Sequence, residues 1–530
     1  MPKIPEAPLL DKQALYALLY ARFDEGFSTL ADIPNPSLLH HGERAAKRIA
    51  SAITKGERIA LVGDYDVDGV TATALSVLFF RQIPYPIEVV IPNRFTDGYG
   101  VSASVLERID ADLIFTVDNG INAFEAAEVC KRRGVDLIIT DHHTPSQTLP
   151  DVYAIVDPKL DACNYPFAEI CGAQVAWLLM GLVKKELGLK IDMKQFLELL
   201  ALAIVADVMP LVGINRAIVQ AGLKQMMRSK RPSSVIIREF LNKSSLSSED
   251  IGFQIAPRIN SAGRLEDASI ALEFLTSESE EKAYHQFELL NQLNDMRKAT
   301  EAEATEEAMA QVDPNDLVIV VAGESWHEGV VGIVASRLVG KFGKPAIVLN
   351  INGKRAKGSA RSIGEVSIYD LIKSQEGLLE KFGGHKMAAG LSMDVAHLDS
   401  FRRGLNEKAA TLNPDDFLPK EEIVGSLNGS EIDFDLLQIL DQFEPYGEGN
   451  PRPRFLAHRA EVVGVRLLGT ERSHSKVTLR INSKKNFDLM AFRQVLTVPK
   501  DRTMTCSYTL NKNEFNGKVS IQLMLERIYA

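Results

Sequence analysis

Five short, mostly apolar runs, at residues 59–62, 87–91, 113–117, 137–140 and 154–156, recur in the N-terminal part of this 530-residue chain, with amphipathic helical segments between most of them. Runs without apolar–polar alternation are buried on both faces. A parallel sheet covered by helices on each side meets that condition, so a parallel α/β fold is expected from residue 59 onward. All C-terminal strand edges of such a sheet lie on one side, and ligands bind in the crevice there. The residues just after each run are therefore informative. The first continues into Gly63-Asp64-Tyr65-Asp66-Val67-Asp68-Gly69, the third into Asp118-Asn119-Gly120 and the fourth into Asp141-His142-His143.

Asp64, Asp66 and Asp68 repel one another and resist shared burial unless a cation compensates them. Oxygen-rich clusters suit hard divalent ions, and the added histidines favour Mn²⁺ or Mg²⁺ over Ca²⁺. Downstream, Asp207 ends an apolar helical run, LLALAIVADVMPL, where a lone carboxylate is costly to bury unless paired or metal-bound. Taken singly, each group has an ordinary alternative. The three acids form a solvated turn, Asp118 serves as a turn residue, Asp207 ends a helix, and the histidines sit in a satisfied surface loop. Their placement on strand ends of one sheet favours the metal reading, with two ions bridged by a shared carboxylate as a hydrolytic centre.

Length implies two to four domains, and 45% apolar with 25% charged residues is the composition of a globular protein. No basic segment followed by an apolar core opens the chain, so no secretion signal is expected. The most apolar stretch, residues 196–212, contains Glu198, Asp207 and Pro210 and reads as a buried helix, not a membrane span. Cys130, Cys163, Cys171 and Cys506 form no CxxC pair, which favours a reducing cytoplasm and argues against structural zinc. A net charge of −10 does not advertise a nucleic-acid partner, but an acidic centre can mask a local basic track.

Residues 11–23 read as a helix, followed by a Pro-rich connector. Residues 280–311 lack Pro and Gly and carry Leu289, Leu293 and Met296 at helical spacing, which predicts a long connecting helix. A second α/β lobe starts at residue 317. His327 precedes its helix, whose N-terminus offers free N–H groups to an anion. Next, Lys354, Arg355, Lys357 and Arg361 alternate with small residues; as a strand, this stretch sets Ser359 and Arg361 on one face, suited to a phosphate, although a basic edge strand is the plain alternative. Gly383-Gly384-His385 allows close backbone approach beside an imidazole. After Pro414, five short strands between residues 460 and 525 predict a small OB-type barrel. Its arginines and lysines with nearby phenylalanines suit single strands without sequence preference.

These segments resemble the DHH phosphoesterase family. Asp-Tyr-Asp-Val-Asp-Gly (64–69), Asp118, Asp141-His142-His143 and Asp207 look like its four motifs, and GGHKMAAG (383–390) is similar to the signature of the companion DHHA1 domain. APRINSAGRLEDA (256–268) and WHEGVVGIVASRL (326–338) narrow the resemblance to the RecJ branch, bacterial single-strand-specific 5′→3′ DNA exonucleases. The resemblance covers about residues 45–530, in order. It implies that Asp66, Asp68, Asp118, His142 and Asp207 hold two divalent ions, Mn²⁺ or Mg²⁺, with Asp118 as the bridge. His143 would sit beside the scissile phosphate or complete the shell, and Asp64 and Asp141 would support the catalytic group as orienters. Ser359, Arg361 and His385, with Gly384, would grip the terminal 5′ nucleotide across a cleft. His327, Arg258, Asn260 and Arg264 are further candidates to face DNA. Val62 occupies the place where the pyrophosphatase branch has a histidine, so that ligand is absent.

The implied domains are an N-terminal helical extension (1–44), a catalytic DHH domain (45–211), a helical connector (212–312), a DHHA1 domain (313–413) and an OB-fold domain (414–530). The implied activity is metal-dependent 5′→3′ degradation of single-stranded DNA to 5′-mononucleotides in recombination and repair. The alternatives are a phosphatase or oligonucleotidase of small substrates and a non-catalytic replication factor. A monomer in the cytoplasm, partnered by single-strand-binding protein and a RecQ-type helicase, is what the resemblance implies further.

Overall fold

The computed structural model describes residues 4–23, 26–419, 422–469, 472–515 and 518–529; the few others, which fall within the ranges of the expected N-terminal extension and barrel domain, lie outside the described residues. Three sheets are present among the described residues. Strand β1 (Leu9–Leu10) belongs to the third of them. The first comprises β2 (Ile59–Val62), β3 (Glu88–Val90), β4 (Leu113–Thr116), β5 (Asp136–Thr140) and β6 (Ala154–Val156). Every pairing in it is parallel, in the order β3-β2-β4-β5-β6. Leu61, Phe115 and Ile138 pack on one face with the helices Gly42–Lys55, Val67–Phe80 and Gly172–Glu186. Ala60, Val62, Ile114 and Ile139 pack on the other with the helix Phe124–Arg133. Burial on both faces is why the strand sequences do not alternate.

The chain leaves β2 for β3 on one side and returns to β4 on the other. The C-terminal ends of β2 and β4 thus flank the switch point, where this topology opens a crevice. Asp66 starts the helix Val67–Phe80 by accepting the Gly69 N–H at 3.0 Å, so one carboxylate both caps the helix and enters the crevice.

The helix Glu280–Ala310 leads to the second lobe. It buries Ala283, Phe287, Leu290, Leu293, Ala304 and Ala308, whereas Met296 is 57% exposed. The apolar stripe is thus rotated from the expected Leu289–Leu293–Met296 line, because Phe287 and Leu290 carry the contact with the connector helices. The second sheet contains β7 (Ile319–Gly323), β8 (Ala346–Asn352), β9 (Arg355–Arg361), β10 (Lys381–Gly384) and β11 (Ala388–Asp394), ordered β10-β11-β9-β8-β7. Only β7 and β8 pair in parallel, joined across the helix Val331–Phe342.

The third sheet adds β12 (Ile423–Leu427), β13 (Arg454–Leu468), β14 (His474–Arg480), β15 (Asn486–Ala491), β16 (Thr503–Phe515) and β17 (Lys518–Tyr529). Its order β13-β14-β15-β17-β16 closes through a β13–β16 pairing into a five-stranded barrel. Outside it, β12 and then β1 continue in parallel. Leu15, Leu19 and Phe23 enter the barrel core with Phe443 and Phe455, so residues 9–23 are covered by the barrel, whereas Leu39 of the same expected extension packs into the core of the first sheet. All four cysteines are free, and among the described residues no helix is long and apolar enough to cross a membrane.

Candidate metal centre

The strand ends deliver their acids to one place. Asp118 leaves β4 with φ 62°, a turn held by Asn119, whose amide donates to Val62 O (3.1 Å) and Val117 O (2.9 Å) and whose Oδ1 accepts the Val101 N–H. Asp68 accepts the Gly172 and Ala173 N–H groups at 2.6 and 2.9 Å, anchoring it on the N-terminus of the helix Gly172–Glu186. A Cβ at Gly172 would stand 2.4 Å from Asp118 Oδ1, so only glycine lets that helix approach the carboxylate. Asp207 forms the C-cap of the helix Leu197–Ala206. His142 Nε2 lies 3.2 Å from Asp118 Oδ1, 3.6 Å from Asp207 Oδ2 and 3.7 Å from Asp68 Oδ2.

None of the three approaches of His142 Nε2 closes into a hydrogen bond. Asp64 Oδ1, Asp118 Oδ1, Asp207 Oδ2 and both ring nitrogens of His142 are buried without partners. Buried polar atoms are normally satisfied, so a cluster of orphans pointing at one another marks a ligand's place. Potential ligand atoms within 4.8 Å of one another fall into three groups: Asp68, His142 and Asp207; Asp64, Asp66 and Asp118; and Asp118, His142 and His143. Asp118 and His142 link the groups, an arrangement that fits two cations. Oxygen donors with few nitrogens and no thiolate suit Mn²⁺ and Mg²⁺.

Electrostatics agree. Burial, then Asp66, pushes Asp64 well above the usual carboxylate range, and burial, then Asp68, Asp66 and Asp64, does the same to Asp118. Burial and Asp68 raise Asp207 to about 9. Burial also lowers His142, which keeps it neutral and able to donate a lone pair. Without a cation the site is an excess of negative charge that must hold protons; a divalent ion removes that penalty.

Asp141 plays a different part. Its Oδ1 accepts the His142 N–H (2.8 Å) and the His143 Nδ1–H (2.7 Å), and its Oδ2 accepts the Ile121 N–H (2.9 Å). Burial opposes its charge, but the His143 hydrogen bond holds it below its ordinary value. Burial likewise opposes the His143 charge, and the Asp141 hydrogen bond and surrounding acids win, raising it to about 9.

A cleft of about 1210 Å³ joins this centre to the second lobe, with Tyr99, Asp141 and His143 on one wall and Gly383, Gly384 and His385 on the other. Gly384 has φ 140°, and a Cβ there would meet Ala388 O at 2.4 Å, so the tight hairpin presenting His385 requires glycine. Ser359 Oγ and Arg361 Nη2 lie against Gly332 in the first turn of the helix Val331–Phe342. Arg264 donates to Gly329 O at 3.1 Å and is pushed down to about 10 by burial and Arg94. His327 Nδ1 accepts the Gly329 N–H and its ring meets Phe95 edge-on at 5.3 Å. Asn260 is half-buried on the helix Ala256–Leu265.

Arg258 stands apart. It lies over Phe240 at 4.2 Å and donates to Asn291 and Gln254 O, a packing role within the connector. Of the basic stretch, Lys357 pairs with Glu328 and Arg355 with Glu380. Sequence reasoning missed Asp157, Asn119 and Tyr99. Asp157 follows β6 as the other acids follow their strands; it is buried, leaves Oδ2 unpartnered and is raised by burial to about 7. Tyr99 Oη lies 3.5 Å from both Asp118 O and the His143 ring nitrogens, and burial with the neighbouring acids pushes its hydroxyl up.

Comparison with known proteins agrees with this architecture. The family description "DHH family, N-terminal domain" matches residues 58–204, "DHHA1 domain" 315–411 and "RecJ OB domain" 423–527. A protein of Haemophilus influenzae named single-stranded-DNA-specific exonuclease RecJ is 33% identical over 98% of this chain and 96% of its own length. Its Bacillus subtilis counterpart is 37% identical over 94% of this chain, which spans 64% of that relative. The crystal structure of RecJ with Mn²⁺ from Thermus thermophilus superposes with a TM-score of 0.82 at 30% identity, covering 97% of this chain and 76% of that one. The Mg²⁺ complex gives 0.79 at 29% identity, covering 97% and 74%.

Proposed function

Since the chain belongs to the RecJ family of single-stranded-DNA-specific exonucleases, we propose that it removes nucleotides from the 5′ end of unpaired DNA by metal-dependent phosphodiester hydrolysis, releasing 5′-mononucleotides during recombination and repair. The observation that carries this reading is the set of buried, unpartnered atoms of Asp64, Asp118, His142 and Asp207 where four separate segments converge. Asp64, Asp66, Asp68, Asp118, His142 and Asp207 would hold two divalent ions, and Asp64 joins the set because its oxygen groups with those of Asp66 and Asp118. Such ions, when bound, supply Lewis-acid polarisation of the phosphodiester and activation of water.

The protein's own groups do the rest. His143, held by Asp141, presents a cationic N–H beside the metal ligands, where charge develops on the phosphate oxygens. Ser359, Arg361 and the adjacent helix N-terminus suit the terminal phosphate. The Gly384–His385 hairpin closes the cleft from the second lobe. Single-strand selectivity follows from a passage bounded by both lobes, and the barrel retains the strand between cuts. Single-strand-binding protein and a RecQ-type helicase as partners, a monomeric state and a cytoplasmic setting complete the proposal.

Digestion of single strands and blunt duplexes labelled at either end, with and without Mn²⁺, tests it. The expected result is metal-dependent release of 5′ label from single strands alone. Equal attack on duplexes, or preferential 3′ release, would overturn the reading.

A further inference from the structure

The second sheet turns one face toward the cleft, and that face extends past the residues proposed to grip the 5′ nucleotide. Ala356 and Ala360 of β9, with Ala389, Leu391 and Met393 of β11, are buried in the lobe's core, so the alternate residues face the other way. On that other face Gly383 pairs with Gly390, and Gly390 with Ser359; one step outward, Lys381 pairs with Ser392, and Ser392 with Lys357. A step of two strand residues is about 7 Å. The row from Arg361 and Ser359 to Lys357 and Lys381 thus runs away from the His385 hairpin and the metal centre.

A cavity of about 530 Å³ lies over this row, lined by Ser359, Lys357 and Lys381 of the sheet, by Glu328 and by Arg94 of the catalytic lobe. It shares Gly383 and Gly390 with the cleft that reaches His143. Neither glycine has a left-handed backbone; a Cβ at Gly383 would meet nothing within 4 Å, and one at Gly390 nothing nearer than 3.9 Å. Local packing therefore does not call for glycine at either place, and the bare backbone leaves the floor open between the two cavities. The space beyond the grip is also cationic. Lys357 pairs with Glu328 and Arg355 with Glu380, each at 2.7 Å, whereas Lys381 and Arg94 enter no ion pair among the described residues; Arg94 lies over the Tyr65 ring at 5.1 Å. A single phosphate held at Ser359 and Arg361 leaves both of these cations without an anion.

Resting on the function proposed above, we propose that this cavity holds the outer two phosphates of a 5′-triphosphorylated strand end, with Lys381 and Arg94 as their cationic partners and the innermost phosphate at Ser359 and Arg361. Multiply charged phosphate oxygens suit ammonium and guanidinium donors. Hydrolysis of such an end needs no further reactant. Water adds its oxygen to the phosphorus of the second nucleotide and its proton to the 3′ oxygen of the first, and the bond between that phosphorus and that oxygen breaks. A nucleoside triphosphate leaves, and the strand keeps a 5′-monophosphate. The enzyme therefore clears strand ends that a grip closed behind one phosphate would refuse.

The test uses the full chain in EDTA with 3′-labelled single strands carrying a 5′-hydroxyl, a 5′-monophosphate or a 5′-triphosphate, read by fluorescence anisotropy. The unmutated protein should bind the triphosphate about tenfold more tightly than the monophosphate, the worth of one charge-assisted hydrogen bond. Lys381 is exposed, so Lys381→Ala should keep the parental melting temperature and monophosphate affinity while losing that preference. With Mn²⁺, the first product from the triphosphate strand should be a nucleoside triphosphate by anion-exchange chromatography. A triphosphate end bound no better than a monophosphate, or a Lys381→Ala loss equal for all three ends, would overturn the inference. Inorganic tripolyphosphate that binds the unmutated protein but not Lys381→Ala, and yet displaces no strand, would overturn it too, by assigning the cavity to a free oligophosphate. Failure of the unmutated protein to bind or cut the monophosphate strand would instead remove the proposed function, and this inference with it.

Discussion

At the scale of single residues, the centre is defined by atoms that lack partners. Replacing Asp118 or His142 with alanine removes a group shared between two ligand sets. Each change should lower turnover by more than the ~10- to 100-fold typical of losing an outer support, while strand binding in EDTA persists. Asp141→Asn should fall within that range, because it frees His143 without removing a ligand. Steady-state assays on the three variants check this order. The raised carboxylates make a second prediction. Burial and neighbouring acids push Asp64 and Asp118 well above the usual carboxylate range and Asp207 to about 9, so a cation competes with protons there, and Mn²⁺ binding should release protons and tighten as pH rises. Calorimetry in buffers of different ionisation enthalpy reads that release directly. His143, raised from 6.5 to about 9, adds stability that is complete below 6.5 and lost as pH climbs through about 9. Raised acids also destabilise the metal-free fold as they ionise. Both effects have one sign: the melting temperature of the metal-free protein should fall with rising pH, and Mn²⁺ should restore it.

Elements set how those residues meet. Gly172→Ala is expected to disrupt the centre without touching any ligand, since the added methyl would stand 2.4 Å from Asp118 Oδ1. Overpacking of this kind costs about 1–3 kcal/mol; thermal melts should show that modest loss beside a much larger fall in Mn²⁺ affinity. The strands of the catalytic sheet were legible because both their faces are buried, which leaves apolar runs ending in functional acids. Asp157 follows the same pattern and escapes notice, since Pro158 and Lys159 after a three-residue run read as an ordinary turn. Asn119 and Tyr99 carry no local signal; their roles arise from contacts 18 to 57 residues away. Arg258 carries a motif signal for DNA, and its half-buried side chain also packs on Phe240 and bonds Asn291, contacts that no local pattern encodes.

Across the whole molecule, non-local packing decides what patterning cannot. The chain's first apolar helix finds its cover more than 400 residues away, where Lys12 also pairs with Asp433. Nothing in residues 11–23 encodes that choice beyond an apolar face needing burial. Removing residues 1–23 should therefore destabilise the barrel, by about 2 kcal/mol for each buried leucine lost. It should weaken retention of long strands more than it affects the catalytic sheet. Differential melting together with digestion of long and short strands separates the two effects. The central claim is that the converging acids and His142 form a two-cation centre. Diffraction at the manganese absorption edge, from crystals grown with Mn²⁺, tests it most directly. Two anomalous peaks are predicted, one among Asp68, His142 and Asp207 and one among Asp64, Asp66 and Asp118; no peak there, or manganese only at surface carboxylates, would contradict it.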